Sequence, residues 1–170
     1  MKISLQRCII HLKLYLQNMR KLNRITVLAP LYNEKEIVPA LLSRLENLVN
    51  NAAFQLDVLL VDDGSIDGTD RLLEDFCKGK KNFSAISLSR NFGHAAAISA
   101  GLQELDPETD AIFIIDGDLQ DPPELLQEFV SKMEEGFDVV YGIRQHRKEG
   151  LLKKAAYRTY YRLLKRFSNV

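Results

Sequence analysis

Short apolar runs alternate along the chain with stretches in which apolar residues recur every three or four positions. The runs predict five β-strands, at 25–30, 56–62, 83–88, 112–115 and 137–141. The stretches between them predict four helices, at 33–49, 67–79, 93–105 and 121–133. Because strands and helices alternate, the pattern predicts an α/β fold with a mostly parallel sheet, helices on both faces and right-handed crossovers.

Polar residues at two of the predicted helix starts are typical of N-caps. Asn33 is followed three positions later by Glu36, which is the spacing of a capping box. Asp121 stands before Pro122, a residue favoured at the first helical position. Both aspartate and asparagine side chains are therefore expected to cap the helices that follow them.

Three of the predicted strands end in polar clusters. The first strand runs into Tyr32 and Glu34, and the second ends at the pair Asp62 and Asp63. The fourth delivers two carboxylates one residue apart, Asp116 and Asp118. In open α/β sheets ligands bind outside the carboxyl ends of the strands, so one site built from all three clusters is expected.

The cluster after the fourth strand has the chemistry of a divalent cation site. Mg²⁺ and Mn²⁺ prefer oxygen ligands and keep positions for water and substrate phosphate, so one or two carboxylates on a rigid strand end suffice. Asp116 and Asp118 could hold such an ion beside a diphosphate. An isolated pair of this kind is also compatible with an acidic turn.

The segment after the third strand has the features of an anion site. Arg90 follows the strand, and Gly93 allows close backbone approach at a helix start, where free N–H groups and the helix dipole favour negative charge. A phosphate or diphosphate is the functional interpretation. The alternative is a helix start packed through its alanines, with His94 in a structural role.

Composition and charge narrow the class of protein. The chain has 170 residues, 46% hydrophobic and 27% charged, which suits one globular domain. Net charge is zero, but residues 1–24 carry +6, residues 25–140 carry −14 and residues 141–170 carry +8. An acidic body with basic ends favours a metal in its middle and phosphates or an anionic surface at its ends, and nucleic acid is not an expected partner. The two cysteines form no disulfide framework, which favours a reducing compartment.

The basic C-terminal block also carries an apolar stripe at helical spacing. It predicts an amphipathic helix over 148–170 that lies in a membrane interface or docks on the sheet. No apolar run approaches the length needed to span a bilayer, so the chain is not expected to cross a membrane. The predicted organisation is a basic extension at 1–24, a catalytic domain at 25–147 and the interfacial helix.

Five motifs occur in order: LAPLYNE at 28–34, VDDGSIDGT at 61–69, LSRNFGHAAAISAGL at 88–102, IDGDLQDPPEL at 115–125 and VVYGIRQHR at 139–147. With these motifs the chain resembles family 2 glycosyltransferases of the GT-A fold, a Rossmann-like α/β fold. It is most similar to the branch that uses polyprenyl phosphates, and the resemblance runs from about residue 25 to 167.

The resemblance implies an inverting transfer of a sugar from a nucleotide-diphosphate sugar, with UDP preferred, to a polyprenyl-phosphate acceptor. It implies nucleotide-sugar contacts at Pro30, Tyr32, Glu34, Asp62, Asp63, Arg90, Gly93 and Asp116. It implies a Mg²⁺ or Mn²⁺ ion on Asp116, Asp118 and Gln120. Arg144 and Arg147 would orient the acceptor phosphate, and the catalytic residues would be Asp116, Asp118 and Arg144.

A lipid phosphate is largely anionic at neutral pH, so no protein base is required for such a transfer. The expected location is the cytoplasm, peripheral on the inner face of the cell membrane.

Members of this branch usually continue into C-terminal transmembrane helices, whereas this chain stops at Val170. A fragment, or dependence on a membrane-protein partner or a homo-oligomer, is therefore expected. Two alternatives stay open: an inactive nucleotide-sugar-binding domain, and a receiver-like phosphoacceptor domain suggested by Asp62 and Asp63.

Overall fold

A computed structural model describes residues 21–142. Predictions for Arg144, Arg147, the C-terminal helix and most of the N-terminal extension lie outside the described residues. The strands are β1 (Arg24–Leu31), β2 (Gln55–Asp62), β3 (Phe83–Ser87) and β4 (Ala111–Ile114). The helices are α1 (Val38–Asn51), α2 (Thr69–Cys77), α3 (His94–Gln103) and α4 (Leu126–Glu134), and a short 3₁₀ helix, Pro123–Leu125, precedes α4.

The four strands form one parallel sheet in the order β3-β2-β1-β4. Ile25 of β1 lies opposite Leu56 of β2 on one side and Ala111 of β4 on the other. The chain first adds β2 and β3 on one side of β1 and then crosses to add β4 on the other. The order thus reverses between β1 and β4, which is where an open α/β sheet offers a crevice to ligands.

Apolar cores cover both faces of the sheet. On one face, Val27 and Leu60 pack with Leu41 of α1 and Leu73 of α2. On the other, β1 and β2 pack against α3, and Ala97 is fully buried there. Burial on two sides explains why β1 and β2 are nearly continuous apolar runs rather than alternating ones. The predicted parallel sheet with helices on both faces is confirmed.

The core begins slightly upstream of the predicted domain boundary. Leu22 is buried in it, and Arg24 starts β1. At this amino end of the sheet Arg24 forms ion pairs with Asp57 and Asp106. The hydrogen bond to Asp57 raises the pKa of Arg24 more than burial lowers it. One carboxylate oxygen of Asp110 accepts the backbone N–H groups of Asn23 (2.8 Å) and Arg24 (3.0 Å), which fastens the entry to β1 beside β4.

The prediction that Asn33 caps α1 is wrong. The helix begins at Val38, and no side chain caps it. Asn33 instead has a positive φ of 54°, a conformation that asparagine tolerates better than most residues. Its polar groups bond a neighbouring loop, so they are not available to the helix.

The predicted cap at Asp121 is also wrong. Pro122 is extended, with φ −71° and ψ 125°, and the first turn is the 3₁₀ helix that starts at Pro123. A residue before proline is driven away from the helical region, so Pro122 cannot be the first helical residue when Pro123 follows it. A bidentate ion pair between Arg44 of α1 and Glu124 fixes this turn instead.

The fifth predicted strand does not form within the described residues. Residues 137–141 do not pair with the sheet, and no described strand lies on the outer edge of β4. Asp138, Val139 and Val140 instead line a groove of about 460 Å³ beside β4 and α4. Apolar composition can favour an extended backbone, but a strand also needs a partner to accept its hydrogen bonds. No helix within residues 21–142 combines the length and apolar character needed to cross a membrane.

Gly101 lets α3 lie close to the sheet. A Cβ at this position would overlap Leu28 Cδ1 and come within 3.0 Å of Val61 Cγ2. Helix propensity alone would favour alanine at this position by about 1 kcal/mol. We expect Gly101→Ala to lower the free energy of unfolding nevertheless, because overpacking a core typically costs about 1–3 kcal/mol.

Urea unfolding of Gly101→Ala, Leu28→Ala and the double variant measures this effect. The double variant should be destabilised by less than the two single effects added, since Leu28→Ala removes the overlapping methyl groups. Full additivity would mean that α3 does not contact β1 through Gly101.

Candidate active site at the carboxyl end of the sheet

Two adjoining recesses open at the carboxyl edge of the sheet. The first, here called the cleft, has a volume of about 430 Å³ and lies at the crevice between β1 and β4. The second, the side recess, lies beside the end of β2 and also measures about 430 Å³. Tyr32 and Asn91 line both recesses. A ligand long enough to span them would contact the ends of all four strands.

The structure places most of the predicted site residues in these recesses. Those that line the cleft are Pro30, Tyr32, Glu34, Asp63, Gly93, Asp116 and Asp118. Asp62 and Arg90 line the side recess. Asn91 was not singled out from the sequence, although its position beside Arg90 in the motif after β3 could have indicated it. Of the predicted metal ligands, Gln120 is not among the residues that line the cleft.

Hydrogen bonds join the loop after β1 to the loop after β2. The N–H of Asn33 donates to Ser65 Oγ (2.8 Å), and Asn33 Oδ1 accepts the N–H of Ile66 (2.9 Å). The N–H of Glu34 donates to Thr69 Oγ1 (3.1 Å). These bonds fix Tyr32 and Glu34 relative to the side recess, because both residues flank or belong to the bonded segment.

Asp67 adds a further bond between the same loops. It accepts the N–H of Lys35 (3.1 Å) and both the N–H and the hydroxyl of Thr69 (2.9 and 2.7 Å). Burial raises the pKa of Asp67, but these hydrogen bonds together lower it below its usual value. The carboxylate therefore stays ionised and remains an acceptor at neutral pH.

The adjacent residues Asp62 and Asp63 are both buried, at 1% and 3% exposure, but they differ in hydrogen bonding. Asp63 Oδ1 accepts the N–H of Phe92 and Asp63 Oδ2 that of Gly93, each at 2.8 Å. Asp62 Oδ2 accepts the N–H of Ser65 (3.1 Å). Asp62 Oδ1 is buried with no hydrogen-bond partner among the described residues. An unpaired buried acceptor costs roughly 1–3 kcal/mol, and more when charged, so Asp62 Oδ1 is a candidate acceptor for a donor that residues 21–142 do not supply.

Arg90 and Phe92 form a pair at the rim of the side recess. The guanidinium carbon of Arg90 lies 4.3 Å from the centroid of the Phe92 ring, within the range of a cation–π interaction. The ring restricts the long Arg90 side chain on the exposed edge. A cation is therefore held where a phosphate or a nucleotide could reach it.

The carboxylates after β4 have the donor atoms that a hard cation requires. The Asp116 side chain is 54% exposed, and its Oδ1 lies 3.6 Å from His94 Nε2. Asp118 Oδ1 accepts the N–H of Gln120 (2.9 Å) across Leu119, which has a positive φ of 59°. Within residues 21–142 no three His, Cys, Asp or Glu residues are close enough to hold a metal ion by themselves. Two carboxylates suit Mg²⁺ or Mn²⁺ when substrate phosphate completes the coordination.

Comparisons with a family model and with curated proteins both identify glycosyltransferases. The family model described as "Glycosyl transferase family 2" matches residues 26–169. Among curated proteins, the undecaprenyl-phosphate 4-deoxy-4-formamido-L-arabinose transferase of Klebsiella pneumoniae (strain 342) is 36% identical over 144 residues. That alignment covers 84% of this chain and 43% of the relative, so the chain spans less than half the length of that protein.

Solved structures resemble the fold at low sequence identity. S. aureus TarS 1-349 in complex with UDP-GlcNAc has a TM-score of 0.54 and 22% identity, covering 74% of this chain and 38% of that one. The mannosyltransferase PcManGT from Pyrobaculum calidifontis, in complex with GDP-Man and Mn²⁺, has a TM-score of 0.54 and 18% identity, covering 79% and 41%. At this identity the likeness supports the fold and not a particular substrate.

The junction between the first two loops can be tested through Asn33. Asn33→Ala removes the acceptor of the Ile66 N–H and places alanine at a positive φ, which costs about 1–2 kcal/mol for a residue with an ordinary Cβ. We expect a loss of roughly 1–3 kcal/mol in the free energy of unfolding, measured by urea titration. Asn33→Asp is the matched control because it keeps an acceptor and tolerates positive φ. If both variants unfold alike, Asn33 does not join the loops.

Proposed function

Because the chain belongs to glycosyl transferase family 2, we propose that its cleft moves a sugar from a nucleoside-diphosphate sugar to a polyprenyl phosphate. The unpartnered Asp62 Oδ1, buried at the side recess, carries the nucleotide part of this proposal. The acceptor part rests on the Klebsiella relative, whose name specifies undecaprenyl phosphate. Family membership leaves the receiver-like alternative without support.

The side recess would hold the nucleobase. Asp62 Oδ1 needs one hydrogen-bond donor, and the imide N–H of uracil, which stands between two carbonyl groups, supplies one. Guanine presents neighbouring N–H and NH₂ donors, which suit a carboxylate with two free oxygens, but Asp62 Oδ2 already accepts from Ser65. Tyr32, 41% exposed between the recesses, offers a ring on which a base can stack. This arrangement favours UDP.

The diphosphate would lie in the cleft. Asp116 and Asp118 would hold a Mg²⁺ or Mn²⁺ ion there, and such an ion offsets charge on the departing diphosphate. His94 and Ala95 belong to the first turn of α3, whose N–H groups have no partner within the helix and favour an anion. Glu34, on the wall of the cleft, can accept from hydroxyl groups of the donor.

The acceptor phosphate would attack the anomeric carbon as the bond from that carbon to the nucleoside diphosphate breaks, which inverts the anomeric centre. A lipid phosphate is largely ionised at neutral pH, so orientation rather than deprotonation is required. Arg144 and Arg147 remain the predicted orienting cations. The basic ends of the chain would bring the protein to anionic lipid on the inner face of the cell membrane.

The role of Asp62 can be tested with UDP and 3-methyluridine diphosphate, which lacks the imide N–H. By calorimetry the protein should bind UDP about tenfold or more tightly than the methylated ligand, since a hydrogen bond to a charged group contributes roughly 1.5–3 kcal/mol. Asp62→Asn should remove this preference, because an amide that still accepts from Ser65 turns its NH₂ toward the recess.

Asp70→Asn is the matched control, since Asp70 lines the same recess. It should keep the preference for UDP. Equal affinity of the unaltered protein for both ligands would contradict the base contact.

The metal assignment predicts a second set of results. Mn²⁺ should tighten UDP binding, and Asp116→Asn or Asp118→Asn should reduce that gain by about tenfold, equivalent to 1.4 kcal/mol. Asp75→Asn, which changes an exposed carboxylate on α2, should leave the gain unchanged. Circular dichroism checks that each variant keeps its fold.

Transfer itself is measured with radiolabelled UDP-sugars, Mn²⁺ and vesicles that contain undecaprenyl phosphate. Labelled lipid should appear with the full chain and not with Asp118→Asn. Tight UDP binding without labelled lipid would favour the inactive nucleotide-sugar-binding domain.

A further inference from the structure

We propose that Asp63 is a positioning residue for this cleft, which acts by holding the segment 90–94 and does not itself bind the nucleotide. The inference rests on the proposed function, because the segment is proposed to contact the donor. It assigns different roles to two adjacent carboxylates. Asp62 would contact the ligand, whereas Asp63 would place the groups that contact the ligand.

The hydrogen bonds of Asp63 are already satisfied by the protein. Both of its oxygens accept backbone N–H groups from consecutive residues, Phe92 and Gly93, at 2.8 Å. The side chain lies almost entirely beneath the surface of the cleft, at 3% exposure. A carboxylate with both oxygens occupied is poorly placed to recognise a ribose or a base. It is well placed to fix the backbone that donates to it.

A second constraint acts on the same segment. Gly64, with a φ of +68°, lies so close to Arg90 that a Cβ would overlap the Arg90 carbonyl carbon and stand 2.7 Å from its oxygen. The backbone of residues 90–93 is thus in contact with Gly64 at one end and bonded to Asp63 at the other. Both contacts come from the two residues that directly follow β2, so the segment is fixed relative to that strand.

The segment carries groups that face both recesses. Arg90, held over the Phe92 ring, lines the side recess. Gly93 and His94 line the cleft, and His94 Nε2 lies 3.6 Å from Asp116 Oδ1. Gly93 is also the N-cap of α3, so its position sets the direction of the first turn. Movement of this backbone would displace Gly93 and His94, which face the proposed diphosphate position, while Asp62 and Tyr32 stayed in place.

The chain contains a matched control at the opposite end of the sheet. Asp110 likewise accepts two consecutive backbone N–H groups, those of Asn23 and Arg24, but it does so far from both recesses. Asp63 uses both oxygens, so Asp63→Asn removes one of its two bonds, whereas Asp110 uses a single oxygen that asparagine also has. The control variant is therefore Asp110→Ala, which breaks the same kind of contact and should not affect a ligand. Gly64→Ala displaces segment 90–94 by a different route and leaves the Asp63 carboxylate intact.

The experiment compares uridine with UDP by calorimetry on the full chain. Asp63→Asn should weaken UDP binding about tenfold and uridine binding less than about threefold, because only UDP carries the phosphates. Gly64→Ala should also weaken UDP binding, but the split between UDP and uridine is measured on Asp63→Asn alone, because Gly64 itself lines the side recess. Asp110→Ala should lower the melting temperature and leave both affinities unchanged. Amide hydrogen exchange at Phe92 and Gly93 should accelerate in Asp63→Asn and stay unchanged in Asp110→Ala.

Three results would overturn the inference. Uridine binding that falls as much as UDP binding in Asp63→Asn would mean that Asp63 contacts the nucleoside. Unchanged exchange at Phe92 and Gly93 would mean that Asp63 does not hold the segment, even if the proposed function stands. If the unaltered chain binds neither ligand, the proposed function fails, and this inference fails with it.

Discussion

Hydrogen bonds from backbone N–H groups to side-chain oxygens join the loops at the carboxyl end of the sheet, and the site depends on them. Parallel strands end at one edge, but the edge alone does not fix the loops that leave it. Asn33 and Thr69 join the first loop to the second. Asp63 joins the second to the segment after β3. Three loops far apart in sequence are therefore bonded to one another, and residues from them line both recesses, while the loop after β4 completes the cleft.

This arrangement explains why buried carboxylates occur at a surface site. Removing a carboxylate from water is unfavourable unless hydrogen bonds replace the lost hydration. For Asp63 each oxygen accepts a backbone N–H, whereas one oxygen of Asp62 has no donor within residues 21–142. Fold stability does not require a buried carboxylate oxygen without a donor. An unsatisfied buried acceptor beside a recess of ligand size calls for an explanation, and a ligand in the recess is the one proposed above.

The sequence predicted the elements well and their boundaries less well, for physical reasons. β1 and β2 are buried on both faces, so their apolar runs are unambiguous. Asn33 looked like a helix cap because a sequence cannot tell whether its side chain bonds the next helix or another loop. The extended Pro122 could have been predicted, since Pro123 follows it. The strand expected at 137–141 depended on a pairing partner, which local composition does not specify.

The convergence of the candidate site residues was predictable in outline, because strand ends meet at one edge in any parallel sheet. The sequence could not separate the roles of Asp62 and Asp63, since the two residues are chemically identical and adjacent. Their difference arises from the segment 90–93, which is distant in sequence and supplies the N–H donors to only one of them. Only the tertiary contact distinguishes the carboxylate that holds the loop from the one with a free oxygen.

The charge of the cleft adds a constraint on any ligand. Four of its lining residues are acidic, Glu34, Asp63, Asp116 and Asp118, and none is Lys or Arg. The N–H groups that bond Asp63 spread its charge, but they do not cancel the charges of the other three. A nucleoside diphosphate is itself an anion, and like charges within a few ångströms repel strongly when partly shielded from water. A compensating cation inside the cleft would offset this repulsion for a donor of the proposed class, and the Asp116–Asp118 pair offers oxygen ligands for such a cation on the wall of the cleft. The electrostatics of the cleft and the chemistry of its donor atoms therefore both support the proposed divalent ion.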